Sequence, residues 1–115
     1  MPGYGLVRRV WLTWFSSPAA ERPIYRYVLR TAPRRILELG LGTLVRTERM
    51  LAVAASLQPA GELHYVGLDR FEARLATDPP GVTLKQAHQR LHARAKVQLV
   101  PGNIDTSLSR LCNHL

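Results

Sequence analysis

The sequence predicts an α/β fold built on a partial parallel sheet of three strands. Short apolar runs at Arg35–Leu39, Leu63–Leu68 and Val97–Val100 are bounded by turn residues, as buried parallel strands are. Between them lie segments whose apolar residues recur at helical spacing. The first run leads through Glu38-Leu39-Gly40-Leu41-Gly42-Thr43 into one of those helices. That order builds a pocket at the carboxyl end of a parallel strand, where glycines let a ligand approach the backbone and helix amides face it.

Each element follows from its local pattern. In Leu6–Ala20, Arg8-Arg9 precede the apolar run Val10–Phe15 and Ser17-Pro18-Ala19-Ala20 follow it, which resembles a signal peptide. The run is only six residues, against roughly 7–15 in a signal peptide and about 20 in a membrane span. The segment is therefore read as an amphipathic lead-in helix and the protein as cytoplasmic, with no membrane partner. Trp11, Trp14 and Phe15 are expected to cover a sheet face or form a partner interface, with a substrate cleft as the alternative.

A helix follows over Glu21–Thr31, with Ile24, Tyr25, Val28 and Leu29 on one side. Ala32-Pro33 ends it, because a residue before proline is pushed out of the α region. After the first strand, Met50, Val53, Ala54 and Leu57 mark one face of a helix over Leu44–Gln58, stopped by Pro59-Ala60-Gly61. The second strand holds Tyr65 and Val66 and ends at Asp69. Thr77–Val82, with Pro79-Pro80-Gly81, is a loop. Leu84, Ala87, Leu91 and Ala95 mark a helix over Thr83–Ala95. The third strand is closed by Pro101-Gly102-Asn103, and a last helix starts in Thr106–Leu115. The chain thus divides into a lead-in segment (1–33) and a βαβαβα core (34–115) of one partial domain. Right-handed crossovers place the helices after strands 1 and 2 on the same sheet face, with strand order 3-2-1.

Composition narrows the partners. A chain of 115 residues is one domain at most and buries a core of modest margin. The net charge of +8 invites a nucleic-acid reading. However, fourteen of the sixteen basic residues are arginines, scattered as singles and pairs rather than gathered in a run. A nucleic acid is therefore the less favoured partner. The single cysteine, Cys112, permits no internal disulfide and fits a reducing compartment. His88 and His92 have metal-ligand spacing, but Gln89 stands where the H-E-x-x-H zinc motif has its glutamate and no third ligand is evident. No metal site is expected.

Two cofactor classes use a glycine turn after the first strand. A dinucleotide site has G-x-G-x-x-G, and the third glycine is replaced here by Val45. The alternative is an acid two residues before G-x-G, present as Glu38-Leu39-Gly40-Leu41-Gly42. With this motif, Val66-Gly67-Leu68-Asp69 and Val97–Ile104, the chain resembles the class I S-adenosylmethionine-dependent methyltransferases. The resemblance covers roughly Tyr25–Leu115 and matches the first half of the family's domain. It implies a Rossmann-like three-layer sandwich with S-adenosylmethionine as cofactor. Glu38 near the turn would suit the cofactor's positive charges, and Gly40, Leu41 and Gly42 would line its methionine and ribose portions. Asp69 would accept the ribose hydroxyls in charge-assisted hydrogen bonds. Arg70 would flank the adenine, Asn103 would meet its amino group, and the Ile104 amide would meet a ring nitrogen. Many members carry a further glycine where this chain has Leu44.

In the family the sheet continues beyond strand 1, and substrate contacts come mostly from that second half. No catalytic residue is therefore assigned, and the methyl acceptor is open, a small molecule fitting the dispersed charge better than a nucleic acid. The alternative is a non-catalytic half-domain acting as an interaction module or an NAD-type nucleotide binder. Without a neighbour, strand 1 would be an open apolar edge and a route to self-association.

Overall fold

In the computed structural model of this chain the described residues are 6–103 together with Asp105, Ser109, Cys112 and Asn113. The Ile104 amide and most of the helix expected over Thr106–Leu115 lie outside them. The helices α1 (Leu6–Trp14), α2 (Arg22–Thr31), α3 (Val45–Ser56) and α4 (Leu84–Leu91) accompany the strands β1 (Arg35–Leu39), β2 (His64–Asp69) and β3 (Lys96–Pro101). Single 3₁₀ turns lie at Ala19–Glu21 and Phe71–Ala73. The strands are all parallel, in the order β1-β2-β3.

The two sheet faces differ because side chains alternate along each strand. Ile36, Tyr65, Val97 and Leu99 face the helices and join a core with Leu12, Tyr25, Val28, Leu44, Met50, Leu51, Val53, Ala87 and Leu91. On the opposite face, registered pairing aligns Leu37 with Val66 and Gln98, and Leu39 with Leu68 and Val100. Leu37 and Leu39 are 48% and 45% exposed. Leu68, on the central strand, is fully buried on this face, and among the described residues β1 pairs with a neighbour on one side only.

Helix α3 packs against α2 and is tied to β1 through Thr47 and Glu38, which explains why its buried set exceeds one stripe: Thr47, Met50, Leu51, Ala52, Val53 and Ala54 are all buried. Its N-cap, Leu44, has φ +75° and no side-chain capping bond. A left-handed backbone costs a non-glycine residue about 1–2 kcal/mol. Full burial of the Leu44 side chain returns a gain of similar size, roughly 1.5–3 kcal/mol. The departure from glycine at this position thus leaves the turn in the conformation that glycine favours.

Helix α4 starts on a reciprocal capping box between Thr83 and Gln86. It ends at Leu91, short of the expected Ala95. β3 begins at Lys96, and the chain uses residues 92–95 to reverse into it. The 3₁₀ turn at Phe71–Ala73 carried no periodic signal. It opens on Phe71 with φ +51°, whose amide is held by Asp69.

Candidate functional site

The carboxyl ends of the three strands are stitched together around Asp69. The Gly40 amide donates to the Leu68 carbonyl at 2.7 Å, and the Gly102 amide to the Asp69 carbonyl at 3.0 Å. The next amide of the glycine turn, Leu41 N–H, donates to Asp69 Oδ2 at 2.7 Å. Gly40 and Gly42 have φ of +78° and +59°, and a Cβ at either would meet nothing within 4 Å. These two glycines therefore serve the turn and leave open space above it. The Leu41 side chain, 2% exposed, packs downward into the core.

Asp69 is 4% exposed and fully engaged. Besides Leu41, its carboxylate accepts the Phe71 amide at 2.9 Å and the Arg74 Nη2 at 2.7 and 2.8 Å to its two oxygens. Arg74 also donates through Nη1 to the Pro79 carbonyl at 3.0 Å. Its Nε is buried without a partner among the described residues. Gly81 closes over this guanidinium; a Cβ there would lie 1.9 Å from Nε. A ribose therefore reaches Asp69 only where Arg74 yields an oxygen.

Glu38 forms a second centre, on the helix side of β1. Its Oε1 accepts the Thr47 hydroxyl at 2.5 Å and the Tyr65 hydroxyl at 2.6 Å, while Oε2 accepts Arg46 Nε at 2.7 Å. Arg46 Nη2 goes on to the Gly40 carbonyl at 2.7 Å, so the glycine turn is tied to the same cluster. Gly67 makes the Tyr65 contact possible. It stands opposite Glu38 in the register, and a Cβ there would lie 2.9 Å from the Tyr65 hydroxyl. Burial, reinforced by the Glu38 charge, pushes the Tyr65 phenol far above its ordinary range. Burial opposes the charge on Arg46, but the hydrogen bond and charge of Glu38 outweigh it and hold the guanidinium above its usual value. In this arrangement Glu38 clasps β1, β2 and α3 from beneath the turn.

The remaining expected residues are peripheral. Arg70 turns toward the 75–82 loop, with Nη1 4.0 Å from Asp78. Asn103 is exposed, and its Oδ1 accepts the Asp105 amide at 2.8 Å. The structure thus brings Gly40, Leu41, Gly42 and Asp69 together, sets Glu38 directly below, and leaves Arg70 and Asn103 at the rim. Sequence reasoning missed Arg74, Arg46 and Thr47. Arg46 and Thr47 had a signal, since a cation and a hydroxyl in the helix turn after an acid-ended strand point back to that acid.

Two other features are remote from this site. A groove of about 830 Å³ lies at the opposite end of the sheet, walled by Ala55, Gln58, Leu63, His92, Arg94 and Lys96. It receives the carboxyl ends of α3 and α4, whose partial negative charge suits these cations. His88 and His92 stack at 5.6 Å, with His92 Nδ1 placed 3.1 Å from the His88 carbonyl. Among the described residues no group of three or more His, Cys, Asp or Glu is placed to hold a metal ion, and no helix is long and apolar enough to cross a membrane. Set against known proteins, the chain matches no family model, no curated protein and no solved structure.

Proposed function

We propose that this chain is the S-adenosylmethionine-binding half of a class I methyltransferase domain, acting in the cytoplasm. The observation that carries the reading is the convergence of three strand ends on one acid beside two open glycines. Gly40 and Gly42 leave room for the cofactor, and the uncapped first turn of α3 offers amide donors to its carboxylate. Asp69 takes the ribose by exchanging its bond to Arg74 for the two hydroxyls. Arg70 and Asn103, at the rim, border the adenine, and Glu38 acts from below by holding the turn through Arg46. The methyl acceptor binds outside the three strands described.

Isothermal titration with S-adenosylmethionine and with NAD tests this. Gly42→Ala is the informative variant. Its Cβ would meet nothing within 4 Å, and φ +59° costs alanine about 1–2 kcal/mol, so the fold survives while the proposed ligand's space is filled. The expected result is S-adenosylmethionine binding to the natural chain and about tenfold or greater weakening, ~1.4 kcal/mol, in the variant. Absence of heat from a folded sample, or a preference for NAD, defeats the reading.

The partner we infer is a second copy of the chain, paired through the free edge of β1. An open strand edge beside half-exposed Leu37 and Leu39 favours such pairing. Size-exclusion chromatography is expected to show a concentration-dependent dimer that Leu39→Lys shifts to monomer. A monomer at every concentration speaks against the pairing.

A further inference from the structure

Helix α1 turns the wrong side to solvent. Val7, Val10, Trp11 and Trp14 fall at i, i+3, i+4 and i+7, one helix face, and they are 82%, 43%, 39% and 59% exposed. Phe15, at 66%, extends the stripe, and Tyr27 on α2 is 58% exposed. The face turned inward is Leu12, Thr13 and Ser16, all buried. Two of these carry hydroxyls that bond back to carbonyls of their own helix, Thr13 to Arg9 at 2.8 Å and Ser16 to Leu12 at 2.6 Å. Five of the ten large hydrophobic side chains exposed among the described residues are in this patch. A contiguous patch of this kind marks an interaction surface.

Its chemistry is cationic as well as apolar. Arg8 and Arg49 lie over the Trp11 ring at 5.6 and 5.3 Å, Arg26 over Trp14 at 4.6 Å, and Arg30 over Tyr27 at 5.6 Å. The end of α1 holds some of them in place. Arg26 Nη1 donates to the Thr13 carbonyl at 2.9 Å, Arg22 Nε to Ser16 at 2.6 Å, and Arg49 Nη1 to Ser17 at 2.6 Å. Residues 6–20 contain no acid, and the next one, Glu21, lies 3.8 Å from Arg46.

We propose that α1 docks the chain on an anionic lipid surface, its apolar stripe in the headgroup boundary and the surrounding guanidiniums on lipid phosphates. Rings at headgroup level, branched alkyl groups beneath and cations beside them are what this boundary accepts. A nine-residue helix is about 14 Å long, far short of a hydrocarbon core of about 30 Å, so α1 lies on the surface. A single-stranded nucleic acid fits less well, because it stacks on open ring faces. Here three rings carry guanidiniums, and Val7 and Val10 have no face to stack on. A dry protein interface would have to bury those guanidiniums without an acid from α1. The apolar run that is too short to span a membrane is long enough to rest on one.

Both tryptophans of the chain are in α1, so tryptophan emission, excited selectively over tyrosine, reports on the patch. Phosphatidylglycerol vesicles are expected to shift the emission to the blue and to carry the protein down on centrifugation. Phosphatidylcholine vesicles should do so at least tenfold more weakly. Raising salt from about 0.1 M to about 1 M, which shortens the Debye length from ~10 to ~3 Å, should release it. Val10→Glu combined with Phe15→Glu changes two exposed positions and keeps both tryptophans. With an unchanged circular dichroism spectrum, it should bind the anionic vesicles at least tenfold more weakly. Unshifted emission with anionic vesicles, undiminished binding by the double variant, or a response to a single-stranded oligonucleotide in place of vesicles would each overturn the proposal.

Discussion

Asp69→Ala is expected to lower the stability of the chain by about 3–5 kcal/mol, the cost of removing one partner from a buried ion pair. The change strips the acceptor from Arg74 Nη2 and from the amides of Leu41 and Phe71. The stranded guanidinium has no easy exit. Its Nε is already buried without a partner, and Gly81 lies against it. A chain of this size is stable by only about 5–15 kcal/mol in all, so the loss moves the urea midpoint far toward zero. Adding Arg74→Ala should restore part of the stability, because it removes the uncompensated charge. The double-variant cycle should show a coupling of at least ~1 kcal/mol. A urea midpoint for Asp69→Ala close to that of the natural chain would show that Asp69 is not the keystone of the strand ends. The same result bears on function. On the proposed reading, an acid this deeply engaged would trade Arg74 for the ribose, and cofactor binding would then be coupled to local stability at Asp69.

Much of this arrangement was legible. Three short apolar runs separated by helix-period segments placed all three strands to within a residue or two. Parallel pairing then brings Gly40, Asp69 and Gly102 to one edge without further information. What could not be read is where side chains point after that. Glu38 was expected near the turn, two residues before Gly40, and its partners were not foreseen: strand alternation puts it with Ile36 on the helix face, where it meets Thr47, Tyr65 and Arg46. Gly67 carries no local signal, because its reason is a tyrosine two residues earlier whose ring must cross it. Arg74 lies in an aperiodic segment and reaches Asp69 only because the chain folds back through the positive φ of Phe71. In α1 the apolar stripe was legible but its direction was not. Spacing defines a face, and packing decides whether that face is used by its own domain or left for another surface.

Glu38→Ala should be the second severe substitution, costing about 3–5 kcal/mol, and its relatives should rank below it in a set order. Alanine leaves the Arg46 guanidinium, the Tyr65 hydroxyl and the Thr47 hydroxyl without their shared acceptor. Glu38→Gln keeps one acceptor oxygen for the two hydroxyls but turns an amide donor toward Arg46 Nε, so it falls between. Tyr65→Phe removes a single donor from a carboxylate that keeps two others, a loss of about 0.5–1.5 kcal/mol. The pH dependence separates these variants further. The Tyr65 phenol is held above its ordinary range in the fold by burial first and by Glu38 second. Unfolded, it ionises near pH ~10. Its contribution is therefore complete below about pH 10 and declines as pH rises beyond that point, where the unfolded chain releases a proton that the folded chain retains. Tyr25, raised chiefly by its own burial, acts in the same direction. The natural chain should lose stability steeply above pH ~10, and Tyr65→Phe should flatten that decline without abolishing it. Equal slopes in the two proteins would mean that the phenol is not locked against Glu38. The cluster would then no longer explain how the glycine turn, tied to it through Arg46, keeps its conformation.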